Sequence, residues 1–150
     1  MLAVLGCYLW SVPVRVTVFA ACLLVAAPAF SQSQQLETLH PAQAISRAAS
    51  ASPKSVRAVF EFKVQAATKS RGGYYLDSEK DVHSAANLGV MIRPSAVPGL
   101  TKKFGEDLKA ALVGKTVKII GQVWRRVVAG GSATATQVEV THAGQILAVS

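Results

Sequence analysis

Three carboxylates, Asp77, Glu79 and Asp81, alternate within one short stretch and are followed at once by His83 and Ser84. Clustered carboxylate oxygens suit a hard divalent cation. The spacing argues against that chemistry. An EF-hand-type loop needs a turn glycine and a distal glutamate, and neither stands in place. Lys80 lies inside the cluster and would oppose a cation. Asp81, His83 and Ser84 are the residue types of a nucleophilic triad, but no nucleophile-elbow motif presents the serine. His40, His83 and His142 form no H-x-x-x-H or H-x-E pair, so no zinc site is indicated. The acidic residues read better as turn architecture, pairing with Lys80 or Arg93. No catalytic residue, metal site or cofactor is expected.

A second group of side chains fits binding better than reaction. Lys69 and Arg71 precede Gly72-Gly73, and Arg125 and Arg126 precede Gly130-Gly131. Tyr74 (or its neighbour Tyr75) and Trp124 lie beside them. Cations next to aromatic rings suit a single-stranded polyanion, with phosphates on the charges and bases stacked on the rings. The competing reading is that the tyrosine and Trp124 simply pack in a core. The chain carries 16 Lys and Arg against 8 Asp and Glu, a net charge of +8. A basic surface of that kind favours nucleic acid, acidic glycans or anionic lipid head groups, or serves solubility alone.

These residues need strands to position them. Residues 55–67 alternate, with Ala58, Phe60, Phe62, Val64 and Ala66 on one side and Arg57, Glu61, Lys63 and Gln65 on the other, which predicts a strand with one buried face. Thr68 to Gly73 reads as a loop, Tyr74-Tyr75-Leu76 as a second strand, and Leu88 to Ile92 as a third, ended by Arg93-Pro94. Leu100, Phe104, Leu108 and Leu112 recur every four residues and predict one amphipathic helix, weakened in its middle by Gly105 and capped near Gly114. Thr116–Val128 alternates as a long fourth strand in which Gly121 suggests a bend or bulge. Thr134–Val140 returns as a fifth, and Ile146–Val149 closes the chain. Strand, strand, strand, helix, strand, strand predicts an all-β OB-fold: a five-stranded Greek-key barrel with its helix between strands three and four. An SH3-like barrel and an α+β sheet of similar order are the alternatives.

Residues 1–31 read as a signal peptide. Arg15 precedes an apolar run from Val16 to Ala27, and small residues follow at Ala29 and Ser31, either of which could end the leader. An uncleaved anchor and lipidation at Cys22 remain open. Removal would take Arg15 alone among the charged side chains, together with both cysteines, Cys7 and Cys22. The remainder then has no disulfide framework. Residues 32–54, rich in Gln, Ser and Ala, read as a linker of low order with at most a short helix after Pro41. Residues 55–150 are the expected domain.

The run Leu76-Asp77-Ser78-Glu79-Lys80-Asp81, then Asn87-Leu88 and Val90-Met91-Ile92, with Val113-Gly114-Lys115-Thr116-Val117-Lys118-Ile119-Ile120-Gly121 downstream, resembles a group of small exported bacterial OB-fold proteins. The resemblance covers roughly residues 56–149. It implies an OB-fold, export and a nucleic-acid-binding-like ancestry, and it implies no reaction. Val82 and His83 depart from it, standing where that group has an aromatic residue and an arginine, and its proline is replaced within Ser84-Ala85-Ala86. The expectation is a non-catalytic exported binding module for single-stranded nucleic acid or an acidic glycan. Its ligand residues would be Lys69, Arg71, Tyr74, Trp124, Arg125 and Arg126. The alternative is a protein-interaction or envelope-stress module with an envelope protein as partner.

Overall fold

In the computed structural model, residues 35–71, 73–127 and 134–150 are described. The expected leader, Gly72 and the turn at Gly130-Gly131 lie outside them. The first described elements are a short strand, β1 (Thr38–Leu39), and a helix, α1 (Pro41–Ala51). Pro41 suits the first helical turn, where its missing N–H leaves no bond unmade. Gln43 Oε1 accepts from the His40 N–H at 3.0 Å and closes that turn. Ala44 and Ala48, one turn apart, are fully buried, and Leu39 is buried beside them. The stretch expected to be a linker of low order therefore carries a strand and a helix packed on the core. Methyl side chains let a helix approach closely, so this contact needs little aliphatic bulk.

Strand β2 (Val56–Lys63) buries Ala58, Phe60 and Phe62, and Val64 continues the same face, as the alternation predicts. Strand β3 (Ala66–Ser70) then changes phase: Ala67 is buried and Ala66 only half-buried, opposite to expectation. The shift sits at Val64-Gln65. The Val64 N–H donates to Lys115 O and the Gly114 N–H to Val64 O, both at 2.8 Å, whereas the Gln65 N–H donates to Asp77 O at 2.9 Å. The chain changes pairing partner between these two residues. Thr68 to Ser70, expected as loop, belongs to β3.

Strand β4 (Gly73–Asp77) pairs with β3 so closely that only Arg71 and Gly72 separate Ser70 from its partner Gly73. Arg71 has φ 41°, the left-handed conformation that two-residue hairpin turns require. Strand β5 (Leu88–Ile92) follows. The expected single helix is divided into α2 (Val97–Phe104) and α3 (Leu108–Leu112). Gly105 adopts φ 98° and ends α2 outright. Asp107 then caps α3, its Oδ1 accepting from the Ala110 N–H at 3.0 Å. The leucine stripe survives the break: Leu100, Leu108 and Leu112 are all buried.

Strand β6 (Thr116–Val127), β7 (Thr134–Val140) and β8 (Ile146–Val149) complete the described chain. Gly121 does not mark a bulge, since Ala58 pairs with it in an unbroken β2–β6 register. A Cβ there would lie 2.8 Å from Val138 Cγ1, so close packing explains the glycine. The irregularity in β6 falls instead between Lys118 and Ile119, where it pairs with β8.

The strand order is β1-β2-β6-β7-β5-β4-β3, with β8 added to β6. The β1–β2 and β5–β7 pairs are parallel and the others antiparallel. The fold is thus mostly β, as expected, and compatible with an OB-like arrangement. It is not a five-stranded closed barrel with one helix. The described residues form an open mixed sheet of eight strands with three short α-helices. Two physical causes account for the difference: the first long strand divides at Val64-Gln65, and short strands add to β2 and β6. The core joins Phe60, Leu76, Leu88, Ile92, Leu100 and Ile119, all fully buried. Each such side chain contributes about 1.5–3 kcal/mol over leaving it in water.

Candidate functional site

Leu76 points into the core, so its neighbours Tyr75 and Asp77 face the other side of the sheet. Cross-strand partners share a face. On the outward face Tyr75 is opposite Thr68 and Met91, and Met91 is opposite Glu139. One step along, Asp77 is opposite Gly89, Gly89 opposite Gln137, and Gln137 opposite Trp124. Gly89 contributes no side chain to this row. The vacant position is the floor of a cleft of about 310 Å³, walled by Tyr75, Asp77, His83, Asn87 and Gln137. Tyr75 also lines a second, smaller cleft of about 180 Å³, together with Arg71, Met91 and Arg93.

The polar connection between β4 and β5 roofs the larger cleft and is held by its own hydrogen bonds. Asn87 Nδ2 donates to Asp77 Oδ1 at 2.8 Å and to Val82 O at 3.3 Å. Asn87 Oδ1 accepts from the Glu79 N–H at 3.2 Å. Ser78 Oγ accepts from the Leu88 N–H at 2.8 Å, and Asp81 Oδ1 from the His83 N–H at 2.9 Å. Turn architecture is therefore what Asp77 and Asp81 supply. Their expected pairing with Lys80 or Arg93 is absent among the described residues, where Arg93 pairs with Glu139. Burial raises the Asp77 carboxyl above its usual range, and the Asn87 hydrogen bond offsets this only in part. Gln137 Oε1 is buried with no hydrogen-bond partner among the described residues. No cluster of three or more His, Cys, Asp or Glu side chains there could hold a metal ion.

The six residues expected to bind ligand do not converge. Tyr74 is buried in the core, opposite Ile92, and Lys69 Nζ lies 5.9 Å from its ring centroid. Arg125 and Arg126 point to opposite faces, as consecutive strand residues must. Arg125 Nη2 donates to Thr134 Oγ1 at 2.8 Å on the core-side parity. Arg126 is exposed on the outward face, opposite Ala135 of the cleft wall. Trp124 is half-buried on that face and stands over a neighbouring cleft of about 590 Å³ with Arg57 and His142. The outward face thus keeps Arg126 and Trp124, borders Arg71, and substitutes Tyr75 for Tyr74.

No family model and no curated protein matches this chain. Among solved structures, it is similar to a chain described as an aspartyl-tRNA synthetase from Leishmania major Friedlin, at 10% identity and a TM-score of 0.45 over 73% of this chain and 20% of that one. It is similar also to an aspartyl-tRNA synthetase from Entamoeba histolytica, at 11% identity and a TM-score of 0.43 over 73% of this chain and 21% of that one. The chain spans about a fifth of the length of either.

Asp77, Asn87, Gly89 and Gln137 were not among the expected ligand residues. A signal existed for one of them: Gly89 interrupts an otherwise apolar strand, which marks a close approach or a gap. Val82 and His83, the two departures from the resembled pattern, both line this cleft. Val82 is an exposed apolar side chain on its rim.

Proposed function

We propose that this chain is a non-catalytic binding module of OB type that takes single-stranded nucleic acid across the outward face of β4, β5 and β7. Its topology supports that reading. The sheet path starts its long strands at β2 and ends at β3, and only Val64 and Gln65 separate the two, so they act as one bent first strand. On that numbering β4 and β5 are strands two and three, the face that OB-folds use for oligonucleotides and oligosaccharides.

The observation that carries the proposal is Tyr75. Its half-buried ring walls two adjoining clefts, with Arg71 in the smaller and Arg126 beside the larger. A base stacks on the ring while the flanking phosphates meet the guanidinium groups. We also propose export, on the apolar block after Arg15.

Fluorescence anisotropy of a labelled single-stranded oligonucleotide at low and moderate salt tests the reading. Binding should weaken with salt and fall in Arg126→Ala and in Arg71→Gly, which removes the charge and tolerates the left-handed turn. A sulfated glycan that displaces the oligonucleotide would reassign the ligand to the glycan class. No binding at low salt, with envelope proteins retained instead, would hand the chain to the protein-interaction reading.

A further inference from the structure

Two arginines from different connections reach one small cleft. Arg93 follows Met91 by two residues, and its N–H donates to Val140 O at 2.8 Å, so the β5–β7 ladder carries its side chain onto the outward face. Arg71 belongs to the turn between β3 and β4. No side chain could stand at Gly73, two residues on. A Cβ there would lie 2.5 Å from Ile92 O and 3.6 Å from Pro94 Cδ. The glycine lets the turn close on the end of β5. Arg71, Tyr75, Met91 and Arg93 consequently line the same cleft, of about 180 Å³.

The charges around that cleft do not balance. Arg93 Nε donates to Glu139, which leaves the four N–H groups on its terminal nitrogens without a partner among the described residues. Arg71 pairs with no carboxylate among the described residues. Two guanidinium groups therefore share one cleft, and one carboxylate offsets them. Arg71 also sits at φ 41°. Two-residue hairpin turns favour asparagine or glycine in that conformation, where a Cβ is disfavoured. The turn carries an arginine against its backbone preference, which points to a use for the side chain.

We infer that the smaller cleft is a phosphate site in which Arg71 and Arg93 close together on one backbone phosphate of the bound strand and Glu139 positions the Arg93 guanidinium. The inference rests on the nucleic-acid reading above and adds Arg93 and Glu139 to it. A tetrahedral phosphate offers oxygens to two guanidinium groups arriving from different strands, whereas a single guanidinium fork satisfies a planar carboxylate. Tyr75 walls the same cleft, so a base stacked on its ring has this phosphate as its neighbour. Glu139 holds the Nε edge of Arg93 and leaves the terminal nitrogens for the ligand.

Anisotropy of the full chain with a labelled single-stranded oligonucleotide at low salt compares the parent with Arg93→Gln, Arg71→Gly and the double variant. Each single variant should bind about fivefold more weakly, the worth of one exposed charge contact. Because both arginines hold one phosphate, the double loss should depart from the product of the single losses by more than the roughly twofold seen for independent sites. Glu139→Gln removes a negative charge but keeps an oxygen for the Arg93 Nε–H. Glu139→Ala removes the same charge and the oxygen as well, so its weaker binding relative to Glu139→Gln isolates the positioning. Arg93 and Glu139 stand at the surface, and circular dichroism checks that each variant folds. Binding by Arg93→Gln equal to the parent's, or single losses that simply multiply, would overturn the site and leave the binding module standing. Equal binding by the two Glu139 variants would overturn the positioning role of Glu139. Should the parent bind no oligonucleotide, the module falls, and a titration with inorganic pyrophosphate decides the site. Saturable shifts of the Arg71 and Arg93 Nε–H NMR signals would keep it as a phosphate site, and unmoved signals would overturn it.

Discussion

Adjacent tyrosines have opposite duties in this chain. Tyr74 faces the core and is 6% exposed, whereas Tyr75 walls the clefts. The alternation of the second strand could not say which was which, because its phase depends on where the β3–β4 turn falls. Loss of stacking in Tyr75→Ala should weaken oligonucleotide binding by about 1–3 kcal/mol with little change in melting temperature. Tyr74→Ala should instead cost stability, about 3–5 kcal/mol as for other large buried aromatics. Anisotropy and thermal unfolding on both variants separate the roles, and a large binding loss in Tyr74→Ala without destabilisation would reverse the assignment. Asp77 gives a prediction in pH. Burial holds its folded-state pKa above that of an unfolded, solvated aspartate. Below that value both folded and unfolded chains are protonated, and Asp77 carries no penalty. As pH rises through the higher folded pKa, the folded chain must ionise a buried carboxyl, so this contribution to stability is lost. Asp77→Asn retains an acceptor for Asn87 and cannot ionise. Its melting temperature relative to the parent should therefore increase from acid toward neutral pH. A difference that stays constant over that range would contradict the burial account.

Among the elements, β2 and β6 were the most legible, since each buries alternate residues as its pattern predicts, in β6 as far as Val123; Val127, expected on the same side, is exposed. The helix break was half legible. Gly105 announced weakness, but only a positive φ with a capping Asp107 just beyond it turns weakness into a stop. Helix α1 was nearly invisible because its buried face is alanine, which hydrophobic patterning scores low. Its contribution can be measured. A chain beginning at Ser55 should melt at a lower temperature than one beginning at Gln34, because it loses β1, α1 and the burial of Leu39. Equal melting temperatures would return this stretch to the status of a tether. In β6, Gly121→Ala would force its methyl against Val138 Cγ1 at 2.8 Å. Overpacking of that kind costs about 1–3 kcal/mol, to be read from chemical denaturation. A neutral substitution would show that Val138 can move away.

At the scale of the whole molecule, the cleft could not be read from the sequence because its row runs across four strands. Asp77, Gly89, Gln137 and Trp124 are neighbours only through three successive registers, one of them parallel. Linear spacing favoured the basic residues next to glycine turns, and strand parity then divided them between two faces. What remains outward is a Tyr75 platform flanked by Arg71 and Arg126, on a chain whose net charge is +8. Two or three phosphate contacts give a slope of about −1.4 to −2 in log affinity against log salt for a single strand. The most direct measurement is a backbone amide NMR titration with a single-stranded oligonucleotide. Saturable shifts should concentrate at Tyr75, Gly89, Gln137 and Arg126 and spare α1 and α3. Shifts centred on those helices, or none at low salt, would contradict the claim that the outward face of β4, β5 and β7 is where this protein binds.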